Sequence, residues 1–508
     1  MTSSRVLGSM FVSTGGAGRC PERAGWCRRS RGLVARRVAT GDDRRTLRVD
    51  ERREGSESEA MVIRGGNRLG GEVDISGSKN AVLALLAATL LAPAGEVTLS
   101  NVPLELTDVR NMVKVLESLG ARSRVDAADS GALVLDSSSL TSVTPNSDYV
   151  RALRASFLVT GPLLARMGEA RVALPGGCKI GRRPVDLHLA GLAKLGAEIE
   201  FASDEVRVSV PRNKRLVGAH VHFDYPSVGA TETVLMAACC AEGETRITNA
   251  AREPEVEELG NFLVKIVPGV VLTGLGTGAI TVKGAGASSL RASRSLPLAE
   301  VRHSVIPDRI EAGTFLACGA ITGTECLTLR GVHFPHLDTI AAVLRDMGCE
   351  VAPSPSGGTE SARDLVIRAD TGAGLRAVER VETAPYPGFP TDMQPLMCAL
   401  LSVARGKSTV RETVFENRMA TCTELVKMGA RIEIAEGNGT ALIDGVPGGL
   451  VGARVSASDL RAGVALVVAG LAARGETVVG DMSHIDRGYV CLERKLGGIG
   501  ADVRRINS

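Results

Sequence analysis

The stretch Leu425-Val-Lys-Met-Gly429-Ala430-Arg-Ile-Glu-Ile434 decides the fold, because its pattern returns along the body of the chain. The pattern predicts an amphipathic helix that ends at a glycine in the left-handed conformation, followed by a strand with alternating faces. The same helix end recurs at intervals of roughly 70–80 residues, which is longer than the repeat of a solenoid. Its copies end at Gly120, Gly196, Gly348, Gly429 and Gly500, with a degenerate copy at Gly269.

A second kind of helix lies between these ends and is apolar on nearly all sides. A glycine and a strand follow each copy, as in Gly323-Thr-Glu-Cys-Leu327. Such helices belong in the interior, so the sheets should pack outside them, the reverse of a TIM barrel. The sequence therefore predicts an α/β fold of six similar units. The six apolar segments are Ala81–Ala92, Ala155–Ala165, Thr231–Ala241, Ala312–Ile321, Met393–Ala404 and Arg461–Ala473.

The composition of the 508 residues, with 44% hydrophobic and 23% charged side chains, is that of a globular protein. A net charge of +3 and 3% aromatic residues give no sign of nucleic-acid binding. The apolar run Ala81–Ala92 is too short to span a membrane. The eleven cysteines contain no Cys-x-x-Cys pair, which predicts core thiols in a reducing compartment. His333 and His336 have a spacing that metal ligands can take, but we favour a plain loop.

The first 60 residues differ from the rest. Up to Thr40 they contain eight arginines and a single acidic residue, Glu22, together with several serines. An Arg-rich, Ser-containing and acid-poor segment is typical of an organelle transit peptide. We therefore expect residues 1–60 to be a disordered transit peptide. The alternative is a wrongly assigned start, because Met61 could itself begin the body.

The most informative candidate for chemistry is the loop Leu174-Pro-Gly-Gly-Cys178-Lys-Ile-Gly-Arg-Arg183-Pro-Val-Asp-Leu187. Lys179, Arg182 and Arg183 surround the Cys178 thiol, and nearby positive charge lowers a thiol's pKa and raises its reactivity. The glycines allow the backbone to approach a ligand closely. A cysteine is also commonly a small buried hydrophobe, so local composition leaves both interpretations open.

Polar residues recur at the starts of the apolar helices, where free N–H groups favour phosphate and carboxylate ligands. They are Lys79, Asn80, Arg154, Ser227, Asp308, Asp392 and Asp459, and Cys178, Arg418 and Arg487 lie in loops after the following strands. Each has an ordinary alternative. Asp392 could be a helix N-cap, Lys79 a solvated lysine, and Arg418 or Arg487 a surface ion pair. Because these residues occupy equivalent positions in the repeats, we expect them to converge on one shared site for an anion.

These motifs identify a family. From Met61 to Ser508 the chain resembles the UDP-N-acetylglucosamine 1-carboxyvinyltransferases, which are enolpyruvyl transferases. The resemblance implies a two-domain inside-out α/β barrel of six βαβαββ-like repeats. Domain 1 would comprise 61–78 and 307–508, and domain 2 would comprise 79–306. The motifs that carry the resemblance are Ser76-Gly-Ser-Lys-Asn80, the Cys178 loop, Ser227-Val-Gly-Ala-Thr231, Ala251-Arg-Glu-Pro-Glu255, Phe389-Pro-Thr-Asp-Met-Gln394, Phe415-Glu-Asn-Arg418 and His484-Ile-Asp-Arg-Gly-Tyr489.

The family reaction transfers the enolpyruvyl group of phosphoenolpyruvate to the 3′-hydroxyl of UDP-N-acetylglucosamine and releases phosphate, the first committed step of peptidoglycan precursor synthesis. The resemblance implies that Cys178 is the general acid and that Asp392 acts as base at the sugar hydroxyl. The phosphate and carboxylate of phosphoenolpyruvate would be neutralised by Lys79, Arg183, Arg418 and Arg487. The remaining substrate contacts would be Asn80, Arg154, Pro184, Val185, Asp186, Leu187, Ser227, Val228 and Val414. No metal or organic cofactor is implied.

Two features depart from the family pattern. Tyr225-Pro226 stands where some members have Lys-Val, and the polar segment 285–305 looks like a long surface loop. Two alternative functions remain open: an enolpyruvyl transferase that acts on shikimate 3-phosphate, and a nucleotide-sugar-binding protein without catalytic activity. If residues 1–60 are a transit peptide, the enzyme would be in a plastid, in the chloroplast stroma. If they are not, it would be in the cytoplasm. The oligomeric state is not predicted.

Overall fold

In a computed structural model, the chain is described over residues 59–92, 95–129, 131–174, 185–286, 301–359, 362–369, 374–435, 437 and 439–507. These residues all belong to one compact unit, Arg45–Ser508. Residues 1–58 and the centre of the Cys178 loop, 175–184, lie outside the described residues. None of the described helices is long and apolar enough to cross a membrane.

Six small sheets make up the β-structure of the described residues, as six repeated units require. Each four-stranded sheet has one parallel edge pair, and its other pairs are antiparallel. With the strands of each sheet in spatial order, one sheet contains Arg454–Ser456, Glu476–Gly480, Glu59–Arg64 and Asp502–Asn507, and another contains Val271–Thr273, Ala279–Lys283, Glu244–Thr248 and His220–His222. Two more contain Val301–Ser304, Glu96–Ser100, Leu133–Asp136 and Arg122–Val125, and Cys349–Thr359, Ala362–Ala369, Leu327–Val332 and Gly71–Asp74, respectively. The last four-stranded sheet contains Arg380–Glu382, Lys407–Arg411, Thr440–Asp444 and Arg431–Ile434, and the three-stranded sheet contains Glu169–Ala173, Glu205–Ser209 and Glu198–Ala202.

The apolar helices are buried along nearly their whole length, so the prediction that they lie inside the sheets is confirmed. We call them the central helices: Lys79–Ala88, Thr160–Met167, Val228–Ala238, Arg309–Thr322, Gln394–Val403 and Leu460–Ala472. The outer, amphipathic helices are Thr107–Ser118, Asp186–Lys194, Pro254–Ile266, Asp338–Asp346, Ala420–Lys427 and Leu492–Gly498, and Ser147–Ala152 is a further short helix. The 3₁₀ turns are Thr89–Leu91, Arg154–Val159, Phe334–Leu337, Thr391–Met393 and Met482–Arg487.

The glycine at each outer helix end has a positive φ, as predicted. The angle is +91° at Gly429 and +87° at the degenerate copy, Gly269. At Gly429 a Cβ atom would also lie 3.3 Å from the carbonyl oxygen of Gly449. A side chain is therefore disfavoured there by both backbone conformation and space.

Four local predictions were wrong. Glu59 and Ala60 do not belong to a disordered leader, because they begin the strand Glu59–Arg64, which pairs with Asp502–Asn507. The strand after Gly323 begins only at Leu327, and Thr324, which precedes it, donates its hydroxyl to Leu69 O. The second central helix starts as the 3₁₀ turn Arg154–Val159, and its α-helical part begins at Thr160, which puts Pro162 in the first turn, where proline is tolerated. The segment 285–305 is not loop throughout, since Val301–Ser304 pairs in parallel with Glu96–Ser100.

Within the described residues, the buried apolar side chains form two clusters. The first cluster contains residues between Ala81 and Val305, and the second contains residues from Met61–Ile75 and from Ile310–Ile499. Cysteines that the sequence placed in apolar surroundings are buried free thiols at Cys239, Cys240, Cys318, Cys398 and Cys422, whereas Cys326 is half-buried.

Candidate active site

Asp392 lies at the centre of the candidate site, in the 3₁₀ turn that leads into the central helix Gln394–Val403. Its Oδ1 lies 3.1 Å from Arg418 Nη2 and 3.3 Å from Arg461 Nε. Burial alone would raise the pKa of Asp392, but the surrounding cations, led by Arg461 and Arg418, hold that pKa below its usual range. The carboxyl group is therefore ionised at neutral pH.

Arg418 is only 3% exposed, so it is not a surface ion pair. Its Nη1 donates to Thr391 Oγ1 at 3.0 Å, and its guanidinium lies over the ring of Phe415, 5.2 Å from the centroid. Glu412 supports this arrangement, because Thr391 Oγ1 donates to Glu412 Oε2 at 2.9 Å and Val414 N donates to Glu412 Oε1 at 2.8 Å. Glu412 thus joins the backbone at Val414 to the turn that contains Asp392.

Lys79 and Arg487 share one buried carboxylate, Asp108. Lys79 Nζ donates to Asp108 Oδ2 at 3.3 Å, and Arg487 Nε donates to Asp108 Oδ1 at 2.9 Å. Burial lowers the pKa of Lys79, and Asp108 opposes that shift. Lys79 is not solvated, since it is the first residue of a central helix and 9% exposed.

The two groups of charges form one cluster. Lys79 is close enough to Arg461, Arg487 and Asp392 for each of them to affect its pKa. Its backbone N–H donates to Asp308 Oδ2 at 3.1 Å, and Asp308 caps the central helix Arg309–Thr322. We call Lys79, Asp108, Asp392, Arg418, Arg461 and Arg487 the charge cluster. Its members come from elements of both apolar clusters.

A second group of predicted residues lies around His188. Burial lowers the pKa of His188 to about 3, and the nearby positive charge of Arg154 adds to this shift. The ring is therefore neutral at pH 7. His188 Nδ1 lies 2.9 Å from Thr233 Oγ1 of the central helix that Ser227 caps. A Cβ added at Gly229 would lie 2.9 Å from the His188 ring.

The starts of three elements therefore converge on His188. They are Arg154–Val159, Asp186–Lys194 and Val228–Ala238. Val185 and Leu187 are half-buried and pack against the first apolar cluster, as does Val228. Asp186 is exposed at the first position of its helix, and Asn80 is half-buried next to Lys79. Ser227 N donates to Tyr225 O at 2.8 Å.

Three predicted site residues, Cys178, Arg183 and Pro184, lie outside the described residues. Two important charges were missed by the sequence analysis, Asp108 and Arg461. Arg461 had a detectable signal, because it is a charged residue in the first turn of a helix that is otherwise apolar. Asp108 had none, since an acidic residue near the start of an amphipathic helix is ordinary.

The rings of His333 and His336, whose spacing metal ligands can take, lie next to each other. Their ring centroids lie 4.1 Å apart. Within the part of the chain that the structure describes, no three His, Cys, Asp or Glu side chains are grouped as a metal site would need.

Comparison with known proteins gives the class of the protein first. Residues 63–496 match the sequence model of the family described as EPSP synthase (3-phosphoshikimate 1-carboxyvinyltransferase). Among solved structures, the enolpyruvyl transferase NikO from Streptomyces tendae is similar with a TM-score of 0.76 and 25% identity, over 89% of this chain and 100% of that one. EPSP synthase from Acinetobacter baumannii has the same fold, with a TM-score of 0.65, 16% identity and coverage of 88% and 100%.

Sequence comparison with curated relatives then specifies the group within this class. "UDP-N-acetylglucosamine 1-carboxyvinyltransferase 2" of Carboxydothermus hydrogenoformans is 48% identical, over 88% of this chain and 100% of the relative. The protein of the same name numbered 1 in Symbiobacterium thermophilum is 46% identical, over 88% and 96%. The chain therefore belongs to the carboxyvinyltransferase family, in the group of the UDP-N-acetylglucosamine 1-carboxyvinyltransferases.

Proposed function

We propose that this protein transfers the enolpyruvyl group of phosphoenolpyruvate to the 3′-hydroxyl of UDP-N-acetylglucosamine and releases phosphate. The observation that carries the proposal is the charge cluster, in which four cations surround the two carboxylates Asp108 and Asp392. Phosphoenolpyruvate carries a phosphate and a carboxylate, and fixed cations in a site with little water bind such a ligand strongly.

The proposed binding mode divides the cluster by role. Lys79, Arg418 and Arg487 neutralise the phosphate and carboxylate of phosphoenolpyruvate, with Arg183 of the Cys178 loop as a fourth partner. Asp108 holds Lys79 and Arg487 in place before the substrate arrives. The nucleotide sugar lies along the half-buried residues around His188, namely Arg154, Val185, Leu187, Ser227 and Val228, with Asn80 and Val414 near its sugar end.

The reaction needs one acid and one base. A proton adds to the methylene carbon of phosphoenolpyruvate, and we assign it to Cys178. The 3′-hydroxyl oxygen bonds to the neighbouring carbon, and its proton passes to Asp392. The Cys178 thiolate then takes a proton back from the methyl group, the double bond is restored as the C–O bond to phosphate breaks, and the proton held by Asp392 passes to the departing phosphate. The products are one enolpyruvyl ether and one inorganic phosphate.

The low pKa of Asp392 fits this role once the substrate's charge is included. In the described structure, cations stabilise the ionised carboxylate and make it a weak base. When phosphoenolpyruvate binds, its negative charges neutralise Lys79 and Arg418, so the pKa of Asp392 rises toward its ordinary value. The base therefore becomes stronger only when the substrate is in place.

We further propose that each apolar cluster is the core of one domain, with boundaries between residues 78 and 79 and between 306 and 307. The charge cluster supports this division, because Lys79 and Asp108 come from elements of the first cluster and Asp392, Arg418, Arg461 and Arg487 from elements of the second. Both substrates would then bind between the two domains.

The second candidate acceptor is shikimate 3-phosphate, which the description of the matching family favours. The test is phosphate release by the full-length protein from phosphoenolpyruvate with each acceptor in turn. We expect release with UDP-N-acetylglucosamine and none with shikimate 3-phosphate or without an acceptor. Release with shikimate 3-phosphate alone would transfer the assignment to the second candidate, and no release with either would favour an idle binding protein.

We also propose that residues 1–58, which precede the strand Glu59–Arg64, direct the protein to plastids. The support is compositional, namely the many arginines and the single acidic residue up to Thr40. A fusion of residues 1–60 to a fluorescent protein should enter plastids. A diffuse cytosolic signal would contradict the proposal and favour Met61 as the start.

A further inference from the structure

Arg309, the first residue of the central helix Arg309–Thr322, forms a nearly buried ion pair outside the charge cluster. Its Nη2 lies 3.2 Å from Glu255 Oε1, and the two side chains are 10% and 3% exposed. Its guanidinium also lies over the ring of Tyr386, 5.6 Å from the centroid. Tyr386 N in turn donates to Glu253 Oε1 at 3.4 Å.

This ion pair joins the two apolar clusters. The helix Pro254–Ile266, which begins beside Glu255, contributes Leu259 and Phe262 to the first cluster. The helix that Arg309 begins contributes Ile310 and Phe315 to the second. Because both members are nearly buried, removing either one leaves an unpaired buried charge, so breaking this pair costs more than breaking an exposed pair.

Arg309 also acts on the proposed base. It is one of the cations that keep the pKa of Asp392 low, after Arg461 and Arg418 and together with Lys79. In the other direction, Glu255, Asp392 and Glu253 all stabilise the charged form of Arg309. The uncharged His336 and Tyr386 complete the surroundings of its guanidinium.

The surrounding acids depend on this cation. Glu253 Oε2 and Glu255 Oε2 are buried and make no hydrogen bond, and burial raises the pKa of Glu253, a shift that the charge of Arg309 opposes. Buried acids with so few hydrogen bonds rely on charge for compensation. Loss of Arg309 would therefore disturb the whole junction rather than one contact.

We propose that Arg309 is a positioning residue, which ties the first cluster to the second through Glu255 and so fixes Asp392 relative to Lys79. The inference rests on the proposed function. Arg309 need not touch either substrate to act in this way. A misplacement of reacting groups by about 1 Å costs on the order of 100-fold in rate, so the expected loss for Arg309→Gln is on the order of 10- to 100-fold in kcat with little change in KM for phosphoenolpyruvate.

The matched control is Lys495→Gln. Lys495 Nζ lies 2.7 Å from Glu311 Oε1, and their side chains are 18% and 3% exposed, so a similar ion pair is lost. Both Lys495 and Glu311 lie in helices of the second cluster, so their pair does not join the clusters. We expect Lys495→Gln to lower thermal stability but to leave kcat and its pH profile close to those of the wild type.

The experiment compares full-length wild type, Arg309→Gln, Glu255→Gln, Arg309→Lys and the control. Turnover is measured across pH, and hydrogen–deuterium exchange is followed at residues 79–82 and 383–393. Arg309→Gln should raise exchange in both segments, lower kcat and move its acid limb to higher pH, because one cation near Asp392 is lost. Glu255→Gln should raise exchange likewise, and Arg309→Lys should restore the acid limb because it keeps the charge.

Two results would overturn the inference: exchange in Arg309→Gln equal to that in the control, or kcat and acid limb unchanged in a folded Arg309→Gln protein. A wild type with no turnover would refute the proposed function instead. The exchange comparison would then still decide whether Arg309 couples the two clusters.

Discussion

Arg461→Gln gives the sharpest prediction about the charge cluster. Arg461 is 6% exposed and places Nε 3.3 Å from Asp392 Oδ1. At an effective dielectric constant of about 20, two charges at that distance attract by ~5 kcal/mol. Arg418 remains 3.1 Å from the same oxygen and replaces part of this attraction, so we expect a net loss of ~2–3 kcal/mol for the ionised carboxylate.

This loss should appear as a shift in the pH dependence of kcat, which reports the substrate-bound enzyme. A loss of ~2–3 kcal/mol favours protonation of Asp392 and moves the acid limb of kcat upward by about two pH units. Because the folded-state pKa of Asp392 is depressed, its contribution to stability is present above its ordinary pKa and is lost as pH falls. In Arg461→Gln that loss should begin at the same pH, which the unfolded state sets, but it should be smaller and should end at a higher pH.

The assay is phosphate release with saturating substrates between about pH 4.5 and 9, in a range where each variant remains folded by circular dichroism. Arg461→Lys keeps the charge and should return most of the acid limb. Arg345→Gln is the control, since Arg345 donates to the carbonyl oxygen of Val351 at 3.1 and 2.6 Å. The reasoning is refuted if Arg461→Gln and wild type share one acid limb while the Gln variant remains folded.

Three further predictions concern other parts of the molecule. Cys178→Ser should abolish covalent labelling by fosfomycin, the thiol-directed inhibitor of this family, as measured by intact mass; labelling that persists would place the reactive thiol elsewhere. Burial raises the pKa of Glu232 well above its usual range, so the folded state binds a proton that the unfolded state releases, and stability falls as pH rises above the ordinary value. Glu232→Gln resembles the protonated acid, so its free energy of unfolding should match that of the wild type near pH 5 and exceed it at pH 8, by at most ~1.4 kcal/mol per pH unit. Urea unfolding measures this difference, with the exposed Glu244→Gln as the control. A difference that does not grow with pH would contradict the prediction. Gly429→Ala should cost ~1–2 kcal/mol because φ is +91° there, and an unchanged urea midpoint would show that the helix end tolerates a side chain.

The repeated architecture was predictable because its signals are local. A glycine at the end of an amphipathic helix specifies a left-handed residue wherever the helix packs, and Gly429 and Gly269 both adopt that conformation. The central helices were predictable for a similar reason, since a helix that is apolar on all sides has no stable place outside a core. Element boundaries were less predictable, because residues at the ends of elements make contacts with distant parts of the chain, as Thr324 does with Leu69 shortly before the strand that begins at Leu327.

The pairing of remote segments could not be read from local patterns. The strand Glu59–Arg64 lies between Glu476–Gly480 and Asp502–Asn507, which are more than 400 residues away in sequence. Val301–Ser304 joins Glu96–Ser100 in the same nonlocal way. Such pairings depend on the closure of the whole unit, and a strand of four residues has too little pattern of its own.

The candidate site was predicted in part. Lys79, Asp392, Arg418 and Arg487 lie together as convergence from repeated positions suggested. Asp108 was missed because only the tertiary fold buries it between Lys79 and Arg487. A charge that acts by holding other charges has no motif of its own, so a sequence pattern finds the ligand-binding residues more readily than their supports.

The identity of the reaction product tests the central claim most directly. Full-length protein is incubated with phosphoenolpyruvate labelled with carbon-13 and with UDP-N-acetylglucosamine, and the product is examined by NMR and mass spectrometry. We predict a labelled enolpyruvyl ether on the 3′-oxygen of the sugar, one phosphate per ether, and almost no product from the isosteric variant Asp392→Asn. A labelled ether formed only with shikimate 3-phosphate, or wild-type rates from Asp392→Asn, would contradict it.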